Sequence, residues 1–168
     1  MLAPELKEST VGLVGYGAIG QKVASLVRPF GGKIIFFDDY FTGETEDTQV
    51  SLDELVAQAD IISMHYRLTP ETKNMLNKEH FKKMKSSAVV INSARSGLIN
   101  ETDLIEALQT KEITGAAVDV FEQEPLPADH PYLTLENVTI TPHIAGSTIG
   151  NFANSPKILA KRILNEYL

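Results

Sequence analysis

Short runs rich in Val and Ile alternate with helical patterns along these 168 residues, and that alternation leaves few folds open. Thr10–Val14, Lys33–Phe37, 60–64, 88–92, 113–118 and Val138–Ile140 read as strands, apolar enough to be covered on both sides. Between them, Ala18–Val27 reads as a helix that stops near Pro29 and Gly31-Gly32. Ser51 opens a short helix with Glu54 three residues on, a cap pattern. Another helix starts at 77–80, and 100–109 reads as a helix with acids in its first turn. Strands separated by helices pack as a doubly wound parallel α/β sheet, so the expected architecture is one domain over 1–168. The tail after Gly146 reads as helix, interrupted at Asn154-Ser155-Pro156, where Ser155 can cap and Pro156 can take the first helical position. Beyond it Leu159, Ile163 and Tyr167 share a face. Two loops are long for a compact domain: 41–50, acidic and polar, and 121–136, which carries Pro125, Pro127 and Pro131.

Composition removes several classes of function. With no cysteine there are no disulfides, thiolate nucleophiles, zinc thiolates or iron–sulfur clusters. His65, His80 and His130 show no metal-ligand spacing, so no metal is expected. A net charge of −7 is a poor match for nucleic acid. No apolar run is long enough for a membrane, and Met1-Leu2-Ala3-Pro4 opens without a signal core, so the expected compartment is the cytoplasm. The eight acids between 38 and 60, without a Lys or Arg, and the five lysines between 73 and 85 read as solvated faces.

Gly15-Tyr16-Gly17-Ala18-Ile19-Gly20 is a G-x-G-x-x-G segment that leaves a strand and enters a helix, the setting of a Rossmann dinucleotide turn. Gly15 permits the tight turn, Gly17 lets backbone approach a diphosphate, and Gly20 lets the helix pack on the sheet. Free N–H groups at the helix start then face the phosphates. Asp38 ends the second strand 18 residues beyond Gly20, where a carboxylate accepts from a ribose diol. Asp38 and Asp39 together repel a 2′-phosphate, so NAD is expected over NADP, and a flavin is less favoured. Ribose recognition also suits an S-adenosylmethionine-dependent methyltransferase, since fold alone does not fix chemistry.

Three more segments follow strands and fall on the same sheet edge: Asn92-Ser93-Ala94-Arg95-Ser96-Gly97, Asp119 to Pro125, and Thr141 to Thr148. On composition alone Glu122 and Glu124 are equally good acids. The stretches VGLVGYGAIG, FFDDY, HYRLTPET, INSARSGLIN, AVDVFEQEP and TPHIAGST, in this order and spread over nearly the whole chain, resemble the nucleotide domain of the D-2-hydroxyacid dehydrogenase family. The resemblance implies NAD and a small 2-hydroxy or 2-keto acid as ligands. It implies a catalytic trio: Arg95 on the substrate carboxylate, His143 as proton donor and acceptor, and Glu124 as its partner. It places Ala18 and Ile19 at the diphosphate, Tyr66 and Arg67 near the adenosine, and Ala94, Asp119 and Gly146 near the nicotinamide end. Arg95 and His143 themselves also border the coenzyme.

Against the family pattern, Ser96 stands where many members have Gly, and Tyr66-Arg67 stand where many have Val-Pro. Family chains also carry a substrate domain, which is expected to be absent from these 168 residues. The expectation is therefore coenzyme binding with little or no turnover by this chain alone, and a homodimer paired partly through the apolar face of 157–168. The rival class is an NAD-sensing corepressor-like binding module. S-adenosylmethionine displacing NADH would instead favour the methyltransferase reading.

Overall fold

The computed structural model describes residues 5–167; the expectations for Met1 to Pro4 and for the Tyr167 side chain lie outside that part. Seven parallel strands form one sheet: β1 (Thr10–Val14), β2 (Lys33–Phe37), β3 (Thr48–Gln49), β4 (Ile61–Met64), β5 (Val89–Asn92), β6 (Gly115–Val118) and β7 (Val138–Ile140). Their spatial order is β3-β2-β1-β4-β5-β6-β7. The chain winds outward from β1 to one edge, returns to β4, and winds to the other. A crevice therefore opens where β1 and β4 lie side by side, at their C-terminal ends.

The helices are α1 (Ala18–Val27), α2 (Leu52–Gln58), α3 (Lys78–Phe81), α4 (Glu101–Gln109) and α5 (Ile149–Tyr167). Their starts follow local chemistry. Ser51 and Glu54 form the reciprocal cap of α2, and Asn100 accepts the Asp103 N–H at the head of α4. The exception is α1, whose N-cap is Gly17, with no side chain to occupy the first N–H groups. Those donors stay available to a ligand.

One face of the sheet packs Val14, Ile35, Ile62, Val90 and Val118 among Leu55, Phe81, Leu104 and Leu108. The other buries Leu13, Ile34 and Phe36 with Tyr16 and Ala24 of the α1 side. Further along that second face, Ile91, Ala117 and Thr139 stay partly open. Asp60 ties the start of β1 to the turn before β5: it accepts the Thr10 N–H at 2.8 Å and pairs with Lys85 at 2.8 Å. Burial alone would raise this carboxyl, but Lys85 and the Thr10 N–H outweigh it and hold it below the usual range. Asp60→Asn is expected to lower stability by about 1–2 kcal/mol at pH 7. Because the folded-state carboxyl titrates lower than the unfolded one, wild type loses this contribution as pH falls below about 4, and the gap between the two proteins closes. Urea titrations at pH 7 and pH 3 check both halves; a gap that stays constant with pH overturns the assignment.

Two features differ from the sequence reading. Helix α5 runs unbroken through Pro156. Ser155 does not cap: its hydroxyl donates one turn back to Asn151 at 2.6 Å. The carbonyl that loses a partner to Pro156 lies on an exposed helix, where water serves it. The loop 41–50 contains β3, which pairs Thr48 with Ile35 and Gln49 with Phe36. Two residues are too few to show an alternating pattern. No helix among the described residues is long and apolar enough to cross a membrane.

Candidate functional site

The chain leaves β1 through Gly15, whose φ of 102° lies in the left-handed region that favours glycine. Its N–H donates to the Phe37 carbonyl at 2.8 Å. A Cβ here would stand 2.7 Å from the backbone of His65, and one on Gly20 would stand 2.2 Å from the Gly15 carbonyl oxygen. Nothing lies within 4 Å of where a Gly17 Cβ would be. The outer two glycines are thus required by the protein's own backbone, whereas the middle one leaves open space beside the uncapped start of α1. That is the shape a diphosphate needs.

Asp38, at the end of β2, is brought to this turn. One carboxylate oxygen accepts the Tyr16 N–H at 2.7 Å and the other the Tyr40 N–H at 2.9 Å. Each oxygen keeps a lone pair for a ribose hydroxyl. Tyr66 flanks it: the ring stacks on Phe37, and the hydroxyl accepts the Asp39 N–H at 2.9 Å. Burial, with Asp38 and Asp39 nearby, pushes the Tyr66 phenol up to about 12.

The acidic loop is clasped onto α1. Tyr16 stacks on Phe36 with ring centres 3.8 Å apart, and its hydroxyl meets Thr45 and Asp47. Arg28 holds Asp47 with two nitrogens, at 2.8 and 3.1 Å. Sequence reasoning missed this clasp. Its signal was an acid run with no cation of its own, next to a helix that ends in one.

A cavity of about 770 Å³ opens at the crevice. Ile19, Tyr66 and Arg67 line it on the side of the glycine turn, and Ala94, Arg95, Asp119, His143 and Gly146 on the other. Of the glycine turn only Ile19 lines it; Gly15, Gly17, Ala18, Gly20 and Asp38 lie outside its lining, as does Glu124, which meets it through His143. Arg95 is exposed, its guanidinium bonded to the Ala94 carbonyl at 2.6 Å. The turn that presents it is held by buried Asn92, which donates to the Arg95 carbonyl and accepts the Ala94 N–H.

His143 has φ of 54°, unusual for a residue with a side chain. Asp119 holds this backbone from below. Its carboxylate accepts Thr141 Oγ1 at 2.5 Å and the N–H groups of Ile144 and Ala145 at 2.9 and 2.8 Å. Burial by itself would raise that carboxyl; these donors, with His143 nearby, hold it below the usual range. Asp119 is therefore a loop holder as well as a lining residue. Glu124, not Glu122, reaches His143: Oε2 lies 2.8 Å from Nδ1. The His143 bond, then the Phe121 N–H, keep the Glu124 carboxyl low and anionic. With Nδ1 engaged, Nε2 is the nitrogen left for a ligand in the cavity. No metal-ligating cluster occurs among the described residues.

The turn, the acid at the end of β2 and the cavity between the two windings define a dinucleotide-binding domain. Residues 1–145 match the family model for the NAD binding domain of D-isomer specific 2-hydroxyacid dehydrogenases. A glyoxylate reductase of Thermofilum pendens is 40% identical over 169 residues, covering 98% of this chain and 50% of that protein. The NAD-complexed D-isomer specific 2-hydroxyacid dehydrogenase of Lactobacillus delbrueckii ssp. bulgaricus superposes with a TM-score of 0.89 at 36% identity, over 97% of this chain and 54% of that one. An NADPH-dependent glyoxylate/hydroxypyruvate reductase of Sinorhizobium meliloti, solved with NADP and sulfate, gives a TM-score of 0.87 at 28% identity, over 100% of this chain and 56% of that one. The chain belongs to the D-isomer specific 2-hydroxyacid dehydrogenase family, as its nicotinamide-coenzyme-binding domain. It spans about half the length of these relatives.

Proposed function

We propose that this chain is the coenzyme domain of an oxidoreductase that exchanges hydride between NAD(H) and a D-2-hydroxy acid or its 2-keto counterpart. One observation carries the reading: a single cavity at the crevice of the sheet is lined by Ile19 of the glycine turn and by Arg95 and His143, with Asp38 bonded to the turn at the Tyr16 N–H and Glu124 bonded to His143. The nicotinamide, when bound, supplies or accepts the hydride. Every other task falls to the chain's own backbone and side-chain groups. The uncapped start of α1 and the Gly17 gap receive the diphosphate. Asp38 takes the ribose diol, and Arg67 borders the adenosine side. Arg95 offers a planar pair of donors to the substrate carboxylate. His143 gives a proton from Nε2 to the carbonyl oxygen in reduction and recovers it in oxidation, while Glu124 fixes the ring. The His143 and Glu124 side chains are 49% and 39% exposed, so water screens the pair, and little or no turnover is expected from this chain alone.

Calorimetry with NADH tests the reading: saturable binding supports it, and a flat titration on folded protein overturns it. The preference for NAD over NADP rests on Asp38 and Asp39. Asp38→Arg is expected to weaken NADH about tenfold or more, since charged hydrogen bonds of about 1.5–3 kcal/mol are lost, and to admit NADPH. An unchanged preference removes Asp38 from the site. A homodimer belongs to the same proposal, supported by exposed Phe152, Ile158, Leu159 and Leu164 on α5. Light scattering at twice the chain mass is the expected result, and a monomer at high concentration refutes it.

A further inference from the structure

His65 follows β4 and is given no task by the chemistry above. Its backbone N–H extends the β1–β4 ladder to the Val14 carbonyl at 2.7 Å. Its own carbonyl is what crowds Gly15, and its Cβ stands 3.9 Å from where a Gly20 Cβ would be. The residue is therefore wedged against the glycine turn, between strand end and helix start. His65 is also among the residues that line the crevice cavity, as are Ile19 and Arg67. Its Nε2 is shut off from solvent and meets no hydrogen-bond partner, the one buried side-chain nitrogen or oxygen so placed among the described residues. Folded proteins rarely leave such an atom unpaired, because the lost hydration is not recovered. Burial pushes the imidazole down, so the ring is neutral near pH 7 and carries a single N–H.

Resting on the coenzyme reading above, we propose that His65 is a coenzyme-holding residue whose Nε2–H donates to a diphosphate oxygen from beneath the glycine turn. The position selects the diphosphate over the ribose: His65 backbone fills the space beside Gly15 and its Cβ lies toward Gly20, the two glycines that shape the phosphate turn, while Asp38 and Tyr66 occupy the ribose end. The outer torsion of histidine is soft, so the proposal requires only a turn of the ring to carry Nε2 toward the cavity that His65 lines. A neutral donor suits the place. It adds a hydrogen bond to an anion without burying a charge of its own.

The test compares wild type with His65→Phe, which keeps a planar ring without a donor, and His65→Gln, whose amide reaches as far as Nε2. Each of the three 168-residue proteins is titrated with NADH, ADP and adenosine by NMR, which reads weak binding, and melted without ligand. His65→Phe is expected to weaken NADH and ADP about tenfold, the effect of one hydrogen bond to a charged group, and to leave adenosine unchanged. Its melting temperature is expected to hold or rise, since an unsatisfied buried atom is gone. His65→Gln is expected to recover most of the ADP affinity. The imidazole ¹⁵N signals of wild type should move with ADP and stay still with adenosine. Wild-type ADP affinity in His65→Phe, equal losses for adenosine and ADP, or no recovery in His65→Gln would each overturn the proposal while the coenzyme reading stands. A wild-type domain that binds neither NADH nor ADP ends both.

Discussion

Replacing Gly20 with alanine is expected to weaken NADH binding about tenfold or more and to lower the melting temperature by about 3–10 °C. Helix propensity alone predicts the reverse sign, because alanine is favoured over glycine in a helix by about 1 kcal/mol. Sterics decide the matter. The added Cβ would stand 2.2 Å from the Gly15 carbonyl oxygen, and that atom is backbone, with no flexible end to swing aside. Relief requires α1 to withdraw from the strand by about 1 Å, and overpacking of this kind costs about 1–3 kcal/mol. The same withdrawal carries away the helix-start N–H groups that would meet a diphosphate, so fold and binding suffer together. Gly17→Ala separates the two effects. No atom lies within 4 Å of its Cβ position, so its melting temperature should match wild type, yet the methyl projects into the space a phosphate would enter and binding should fall. Thermal melts with calorimetry on both variants make the comparison. A Gly20→Ala protein that melts higher and binds normally would remove the close-packed turn from the account.

The contrast explains what could be read from the sequence. A parallel sheet buried on both faces writes itself as continuous Val and Ile runs, so β1, β2 and β4 to β6 were legible within a residue or two, as were α1 and α4 with their punctuating residues. Gly15, Gly20 and Asp38 were legible because local backbone geometry dictates glycine and strand ends at fixed spacing. What stayed hidden depends on distant partners. The clasp of Tyr16 and Arg28 on Asp47 joins residues whose proximity exists only once β3 lies beside β2. Glu122 and Glu124 cannot be separated by composition; the turn that places Glu124 against His143 separates them. The double task of Asp119, holding the backbone at 144 and 145 while lining the cavity, needs three donors converging from after β7. The unbroken course of α5 reflects a local competition, in which Ser155 prefers the Asn151 side chain to a free N–H.

The role of His143 calls for a measurement of chemistry rather than binding, made on this chain joined to the half of the Thermofilum pendens glyoxylate reductase that it does not span. His143→Asn is expected to lower the rate of glyoxylate reduction by about 10²–10⁴-fold, the usual contribution of a positioned proton donor, with NADH affinity within about twofold of wild type. Asparagine is chosen for the backbone: at φ of 54° it is among the residues best tolerated, so the loop held by Asp119 should persist. Glu124→Gln should cost less, because it acts through the ring. The amide can still meet Nδ1, but the anion that stays ionised through the neutral range is gone. Both losses should appear in kcat with little change in the affinity for NADH, since neither residue belongs to the glycine turn or to the Asp38 carboxylate bonded to it. If His143→Asn retains more than a tenth of the rate, the proton at the carbonyl oxygen comes from elsewhere. The pairing of Nδ1 with Glu124 would then be a device for holding the loop 121–136 against the turn after β7, with Nε2 facing the cavity for binding alone.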